Sequence, residues 1–224
     1  MKHFDDIAKY YDDLFPQHIT DHYYCKRMNF LTQLVSEGKV LDVCSGTGLI
    51  SEGLMKKGYK VVSLDLSGNM LLMRRHLKGY QAVQGISHEL PFKTDVFDLV
   101  ISIASLHHIA ETGKVKRTID EMKRVTKKGG YIVLWDHNPL NPYWKIIMKK
   151  VPQDTGEERL IGIHELINPF ASEGYSYKVF RKGFIPDFAP KRFMRLFRFF
   201  EKIIECLPVL NLFAAHNVIV GRKL

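Results

Sequence analysis

Residues 40–51 read VLDVCSGTGLIS. An apolar run leads into Ser45, Gly46 and Gly48, and a second apolar stretch at helical spacing follows. Glycine lets a chain turn tightly and brings bare backbone against a ligand, so the pattern is strand, turn, helix. Outward from it the rhythm repeats: KVLDVC at 39–44 with a helix to about Lys57, then YKVVSLD at 59–65 with a helix to about Leu77. YQAVQG at 80–85, FDLVISIA at 97–104, a helix from about Gly113 to Thr126, and YIVLWD at 131–136 continue it. Runs such as VVSL and LVISI are apolar on both alternating faces, as strands covered on both sides require. Together these predict an α/β fold: a doubly wound, mostly parallel, seven-stranded Rossmann-like sheet. Gly129 and Gly130 read as the stop of the fourth helix, with Tyr131 opening the fifth strand.

The flanking segments are less regular. Phe4, Ile7, Ala8, Tyr11 and Leu14 form a helical stripe ahead of Pro16, which predicts an N-terminal helical lid. After residue 137, Pro139, Pro142 and Pro152 bracket a short basic helix, Tyr143 to Lys150, read as a late helical insertion. Two further strands are expected near Tyr175–Phe184 and Asn217–Arg222, the last antiparallel, with an amphipathic helix between them. With 224 residues, one decorated domain is the expectation, at roughly one and a half times a typical ~150-residue domain. Its parts would be a lid at 1–36, a ligand-binding core at 37–137, a cap at 138–174 and the final strands with their helix at 175–224.

Composition narrows the classes. Hydrophobic residues at 46% and charged residues at 25% exclude a disordered or collagen-like chain. A net charge of +9 favours anionic partners without naming one. Cys25, Cys44 and Cys206 make neither a disulfide framework nor a metal-ligand pair, so no metal is expected and a reducing cytoplasm fits. The acid-containing start, MKHFDDIAKYYDDLF, is unlike a secretory signal. The apolar stretch at 207–221 is broken by Pro208, Asn211, His216 and Asn217, well short of the ~20 residues that span a bilayer.

Asp65 ends the second strand, seventeen residues after Gly48, where a carboxylate can accept both hydroxyls of a ribose. A nicotinamide dinucleotide would want a third glycine to complete G-x-G-x-x-G, and that position is Ser51. Asp42, beside the turn, suits an ammonium or sulfonium better than a pyrophosphate. A nucleoside carrying positive charge is the implied ligand, although Asp42 and Asp65 could also serve only as local caps.

The segments resemble, in order over residues 4–136, the class I S-adenosylmethionine-dependent methyltransferases of the ubiquinone and menaquinone type. VLDVCSGTG is similar to that family's glycine loop, VVSLDLSGNML to its acidic ribose segment, and HELPF with FDLVISIASLHHI to its third and fourth ligand-facing segments. EMKRVTKKGGYIVLWD resembles the helix, turn and fifth strand, and FDDIAKYYDDLF the lid. The resemblance implies S-adenosylmethionine as cofactor and S-adenosylhomocysteine as product. It places Gly46 and Gly48, with Ser45 beside them, on the amino-acid portion, Asp42 at the charged end, Asp65 on the ribose with Leu66 beside the adenine, and Tyr11 closing the lid. Ser87 falls at the adenine edge, and Ile103 with Ala104 where backbone meets the methionine part. Two positions depart from the family pattern: Cys44 stands for the first glycine, and Ile86 for an acidic residue, which shifts attention to Ser87 or His88.

Methyl transfer is an in-line displacement in which proteins contribute positioning and, where the acceptor must lose a proton, a base. His107, His108 and His137 are the candidates, each near a strand's C-terminal edge, though a His-His pair also commonly just starts a helix. DHNPLNPYW at 136–144 superficially resembles an amine-gripping motif but follows the wrong strand, so Asn138 and Asn141 are read as turn caps that shape an acceptor pocket. Residues 190–207 predict a basic amphipathic helix, read either as packing on the domain as a lid or as peripheral contact with a membrane. The leading expectation is a methyltransferase acting on O or C of a small-molecule or lipid-linked acceptor. An RNA methyltransferase and a non-catalytic cofactor-binding protein docked on a membrane or partner are the alternatives; nucleic acid lacks a recognisable binding appendage.

Overall fold

The computed structural model describes residues 2–148, 156–171 and 173–224. Lys149, Lys150 and Pro152 of the expected cap helix and its bracket lie outside them. The parallel strands β1 (Lys39–Val43), β2 (Lys60–Asp65), β3 (Gln81–Gln84), β4 (Phe97–Ile103) and β5 (Thr126–His137) join β6 (Tyr175–Lys182) and β7 (His216–Lys223) in one seven-stranded sheet. Its order is β3-β2-β1-β4-β5-β7-β6, with β7 antiparallel to both β5 and β6. The predicted sheet, with its antiparallel last strand, is therefore present.

Side chains alternate across each strand, and both faces are covered. Leu41, Val43, Val100, Ile132 and Leu134 pack on one side with Val115, Ile119 and Met122 of α5 (Thr112–Val125). Val40, Leu99, Ile101, Val133 and Trp135 pack on the other with Met28 and Leu31 of α2 (Gln17–Leu34) and Leu54 of α3 (Leu49–Lys56). This two-sided covering is what the uninterrupted apolar runs required.

Several boundaries differ from the sequence reading. The stripe at residues 4–15 is an α-helix only over α1 (Lys2–Ile7) and continues as a 3-10 turn through Asp13. α4 (Gly68–Leu72) stops five residues before Leu77. Gly129 and Gly130 do not end a helix: α5 ends at Val125, Thr126 already pairs with Phe97, and the glycines lie within a bulge where the register jumps to Leu99 opposite Tyr131. Gly129 takes φ +77°, the left-handed region that such a bulge uses. The cap keeps only two short α-helices among its described residues, α6 (Pro142–Ile147) and α7 (Ile163–Ile167).

The amphipathic helix α8 (Met194–Cys206) is present but faces the other way from a lid. It packs inward through Met194, with half-buried Phe197, against Ile19, Ile185 and Ala189, and through the buried carboxylate of Glu201. Glu201 accepts from His22 Nε2 at 2.9 Å and the Phe184 amide at 2.8 Å, and lies 2.7 Å from Lys26 Nζ. Burial opposes its charge, but the His22 hydrogen bond and Lys26 outweigh that and hold the carboxyl at about 2. A carboxyl depressed in the folded state stabilises above its unfolded pKa, and that contribution disappears as pH falls through the folded one. Replacing Glu201 by Ala takes the carboxylate from buried His22, leaves half-buried Lys26 with Glu205 alone, and is expected to lower unfolding free energy by about 3 kcal/mol at neutral pH. Urea titration checks this: the gap between wild type and variant should close as pH falls from about 4.5 toward 2.

Candidate active site

The C-terminal ends of β1, β2 and β4 surround a cavity of about 490 Å³ lined by Asp42, Ser45, Gly46, Asp65, Leu66 and Ser87, with Ile103, Ala104 and Tyr11 also on its wall. Of the thirteen residues expected in the site, Gly48 alone lines neither this cavity nor the chamber described below. Gly48 instead heads α3 at φ +80°, and a Cβ there would meet Tyr80 Oη at 2.9 Å. Gly46, at φ +55°, has open space where its Cβ would be, so its backbone is bare to the cavity. Cys44, standing where the glycine pattern would begin, is itself left-handed at φ +59°. Burial pushes its thiol up to about 12, which removes it as a nucleophile.

Asp65 accepts amide hydrogens from Gly46 at 2.8 Å and Ser67 at 2.9 Å, which fixes the carboxylate at the strand end with lone pairs still available. Asp42 is buried and accepts from Ser51 Oγ at 2.7 Å, and Ser51 accepts in turn from Ser63. Burial pushes Asp42 up to about 7, only partly countered by Ser51. Ser87 is engaged with Thr118 Oγ1 at 3.0 Å, while Leu66 and Ile86 present apolar surface to the cavity. Ser45 Oγ is buried without a hydrogen-bond partner among the described residues. Carboxylates, a bare glycine turn, an orphan hydroxyl and apolar walls fit a nucleoside that carries both an amino acid and a positive charge.

A second chamber of about 190 Å³ adjoins the first through shared walls that include Tyr11, Arg27, Leu49, Ala104 and His108. All three candidate histidines line it. Their rings form a column: Trp144 stacks on His137 at 3.6 Å, His137 on His107 at 4.0 Å, and His108 lies tilted against His107 at 4.1 Å. Asp136, buried at the end of β5, accepts from His107 Nδ1 at 2.7 Å and from the His107 amide at 3.2 Å. Burial would raise Asp136, but the charge and hydrogen bond of His107 and the His137 amide hold it below the usual carboxylate range. Burial, then the neighbouring His107 charge, lowers His108 to about 4, and the same two causes take His137 well below 6.5. His107, Asp136 and His137 bring three possible metal-ligand atoms within 4.8 Å, yet the short bond spends His107 Nδ1 and an Asp136 oxygen on each other.

Sequence reasoning missed Asp136 as the partner of His107, and missed Arg27, whose Nε is buried without a partner among the described residues. It also missed Trp144 and Asp187 as chamber walls. The adjacent Asp136-His137 pair at a strand end was the available signal for the first; nothing local marked Arg27. Asn138 and Asn141 do shape turns, accepting from the Leu140 and Tyr143 amides at 3.1 and 2.9 Å, but line neither cavity.

Residues 41–134 match the family described as "Methyltransferase domain". A demethylmenaquinone methyltransferase from Corynebacterium glutamicum is 30% identical over 158 residues, 67% of each chain. One from Thermobifida fusca is 36% identical over 111 residues, 46% of each chain. This chain spans about half the length of several such curated relatives. A solved S-adenosylmethionine-dependent methyltransferase from Thermotoga maritima shares the fold with a TM-score of 0.72 at 18% identity, covering 100% of this chain and 99% of that one. The chain belongs to the class I S-adenosylmethionine-dependent methyltransferase family, whose cofactor the larger cavity suits.

The raised carboxyl of Asp42 has a measurable consequence. A carboxyl whose pKa is higher folded than unfolded binds its proton in the folded state first, so stability falls as pH rises between the two values. Asp42→Asn, which keeps an acceptor for Ser51, should leave stability nearly independent of this group. Denaturant titration should show the variant gaining about 2 kcal/mol on wild type between about pH 5 and pH 7.

Proposed function

We propose that this chain transfers a methyl group from S-adenosylmethionine to oxygen or carbon of a small or lipid-linked acceptor carrying an aromatic or quinone-type ring. The observation that carries this reading is the junction of two cavities at Tyr11, Ala104 and His108, one walled by Asp42 and Asp65 and the other by His107, whose Nδ1 is held by Asp136. In the larger cavity Asp65 would hold the ribose hydroxyls, Leu66 and Ile86 the adenine faces, and Ser45, Gly46 and Asp42 the amino-acid end. The bound cofactor supplies an electrophilic methyl on a sulfonium. Tyr11, from the 3-10 turn after α1, would cover that end and exclude water.

In the smaller chamber the stacked imidazole and indole rings offer flat faces to an acceptor ring. Arg27 and the Nδ1 atoms of His137 and His216, buried and without a hydrogen-bond partner among the described residues, would supply polar atoms for its oxygens. Asp136 orients His107 and stabilises its protonated form, which suits His107 to take the proton an acceptor hydroxyl or ring carbon gives up. His108 and His137, held neutral by burial, would position the ring rather than compete for that proton. That relatives sharing the core are named demethylmenaquinone methyltransferases favours a ring acceptor with a lipid tail. Such an acceptor would be met at a membrane, and residues 190–207 are the segment suited to meet one.

Assays with S-adenosylmethionine and hydroxylated naphthoquinone acceptors test the reading. His107→Gln and Asp136→Asn should each lower turnover by about a hundredfold or more while leaving cofactor affinity unchanged. Asp65→Ala should weaken S-adenosylhomocysteine binding by about tenfold to a hundredfold in calorimetry, as loss of charge-assisted bonds requires. Full turnover in both dyad variants removes the base, and unchanged affinity in Asp65→Ala removes the ribose assignment.

A further inference from the structure

We propose that α8 and the 3-10 turn that follows it, Leu210–Phe213, dock this protein on an anionic lipid bilayer, with the apolar face of α8 lying in the interface. Leu196, Phe199, Phe200, Ile203 and Leu207 recur at three- and four-residue steps, which puts them on one stripe. That stripe is outside the fold: Phe199 is 60% exposed and Leu196 54%, and the exposed surface runs on through Val209, Leu210 and Phe213. A helix normally buries its apolar side against the core and gives its polar side to water. Here Met194 and Phe197 pack inward, but the longer apolar stripe faces out. Glu201 and Glu205 fasten α8 inward through Lys26, Lys182 and the amides of Gly183 and Phe184, so the hydrophobic side is presented outward by ionic anchors.

Charge selects the occupant. Arg195, Arg198 and Lys202 follow one flank of the stripe, with Lys191 and Arg192 in the turn before it, and all five are exposed. The two glutamates within the helix are turned away from that face, so the flank carries uncompensated positive charge. An apolar strip beside basic side chains matches acyl chains beneath acidic headgroups, with arginine and lysine stems reaching up to the phosphates. Neutral protein surfaces satisfy only half of this pattern.

The surface also connects to the acceptor chamber. Asn141 Nδ2 donates to the Phe213 carbonyl at 2.7 Å and Asn138 Nδ2 to the Leu212 carbonyl at 2.8 Å. These bonds tie the turn to the segment that carries Trp144, which stacks on His137. Met194 reaches Ile19, another chamber residue. A docked molecule would hold its smaller chamber close to the bilayer. The proposal extends the lipid-linked reading of the acceptor, but its test records binding without turnover, so either can fail alone.

Vesicle co-sedimentation of the full chain decides it. Phosphatidylcholine vesicles with about one-third phosphatidylglycerol should pull the protein down, and pure phosphatidylcholine should do so roughly tenfold less well. Phe199→Ser with Phe200→Ser and Ile203→Ser, at exposed positions, should abolish sedimentation without lowering the thermal unfolding midpoint. Arg195→Gln with Arg198→Gln and Lys202→Gln should weaken it, as should raised salt. Absence of binding to anionic vesicles overturns the proposal, as does binding that the serine variant retains. A stable dimer in light scattering that the serine variant splits, with no vesicle binding, also overturns it and assigns the face to a second copy.

Discussion

All five strands of the parallel core, β1 to β5, end on one edge of the sheet, and the chain leaves β1 in one direction for β2 and β3 and returns on the other side for β4 and β5. Connections therefore diverge above the ends of β1 and β4 and leave a crevice there that no helix can fill. The candidate site is hung on that gap. Asp42 and Cys44 come from the end of β1, Asp65 from β2, Ala104 and His107 from the exit of β4, and Asp136 and His137 from β5. Cys44 and Ala104, neither of them glycine, both hold positive φ at this edge. Left-handed backbone at such residues costs roughly 1–2 kcal/mol each, so stability is given up where the chain bends away from the cavities.

Within the crevice the same side-chain type is driven in opposite directions. Asp42 and Asp136 are both buried carboxyls, on β1 and β5 with β4 between them. Asp136 has His107 and keeps its charge; Asp42 has only a serine and is pushed up to about 7. A buried acid with a hydroxyl for company is poorly satisfied by the fold and well suited to a cationic ligand, whereas an acid paired to an imidazole suits proton transfer. The two cavities thus differ in chemistry before any substrate arrives, and the wall between them is the line across which a methyl group would pass.

The sheet was legible because burial on both faces leaves an unmistakable apolar pattern, and the glycine turn with Asp65 was legible because its spacing is set by strand and loop lengths. Arg27 was not. It lies in α2, whose inward positions mix Ile19, Met28 and Leu31 with His22 and Arg27, so no clean stripe announces either the helix or its polar contribution. The Asp136–His107 pair joins residues 29 apart through strand order, which local patterning does not encode. Gly129 and Gly130 look the same in a helix stop as in a bulge, and pairing with β4 decides between them. The sidedness of α8 was hidden for a related reason: periodicity defines a stripe, but only the partners of Glu201 show that the opposite side faces the core.

In the proposed reading, the edge above β1 and β4 holds the cofactor in one cavity with its reactive end turned toward the other. A crystal structure with S-adenosylhomocysteine tests it most directly. Ribose hydroxyls are expected on the Asp65 carboxylate, the amino-acid end at Ser45 and Gly46, and the sulfur facing the wall formed by Ala104 and His108. A nucleoside bound away from Asp65, or a sulfur facing away from the histidine column, would contradict it.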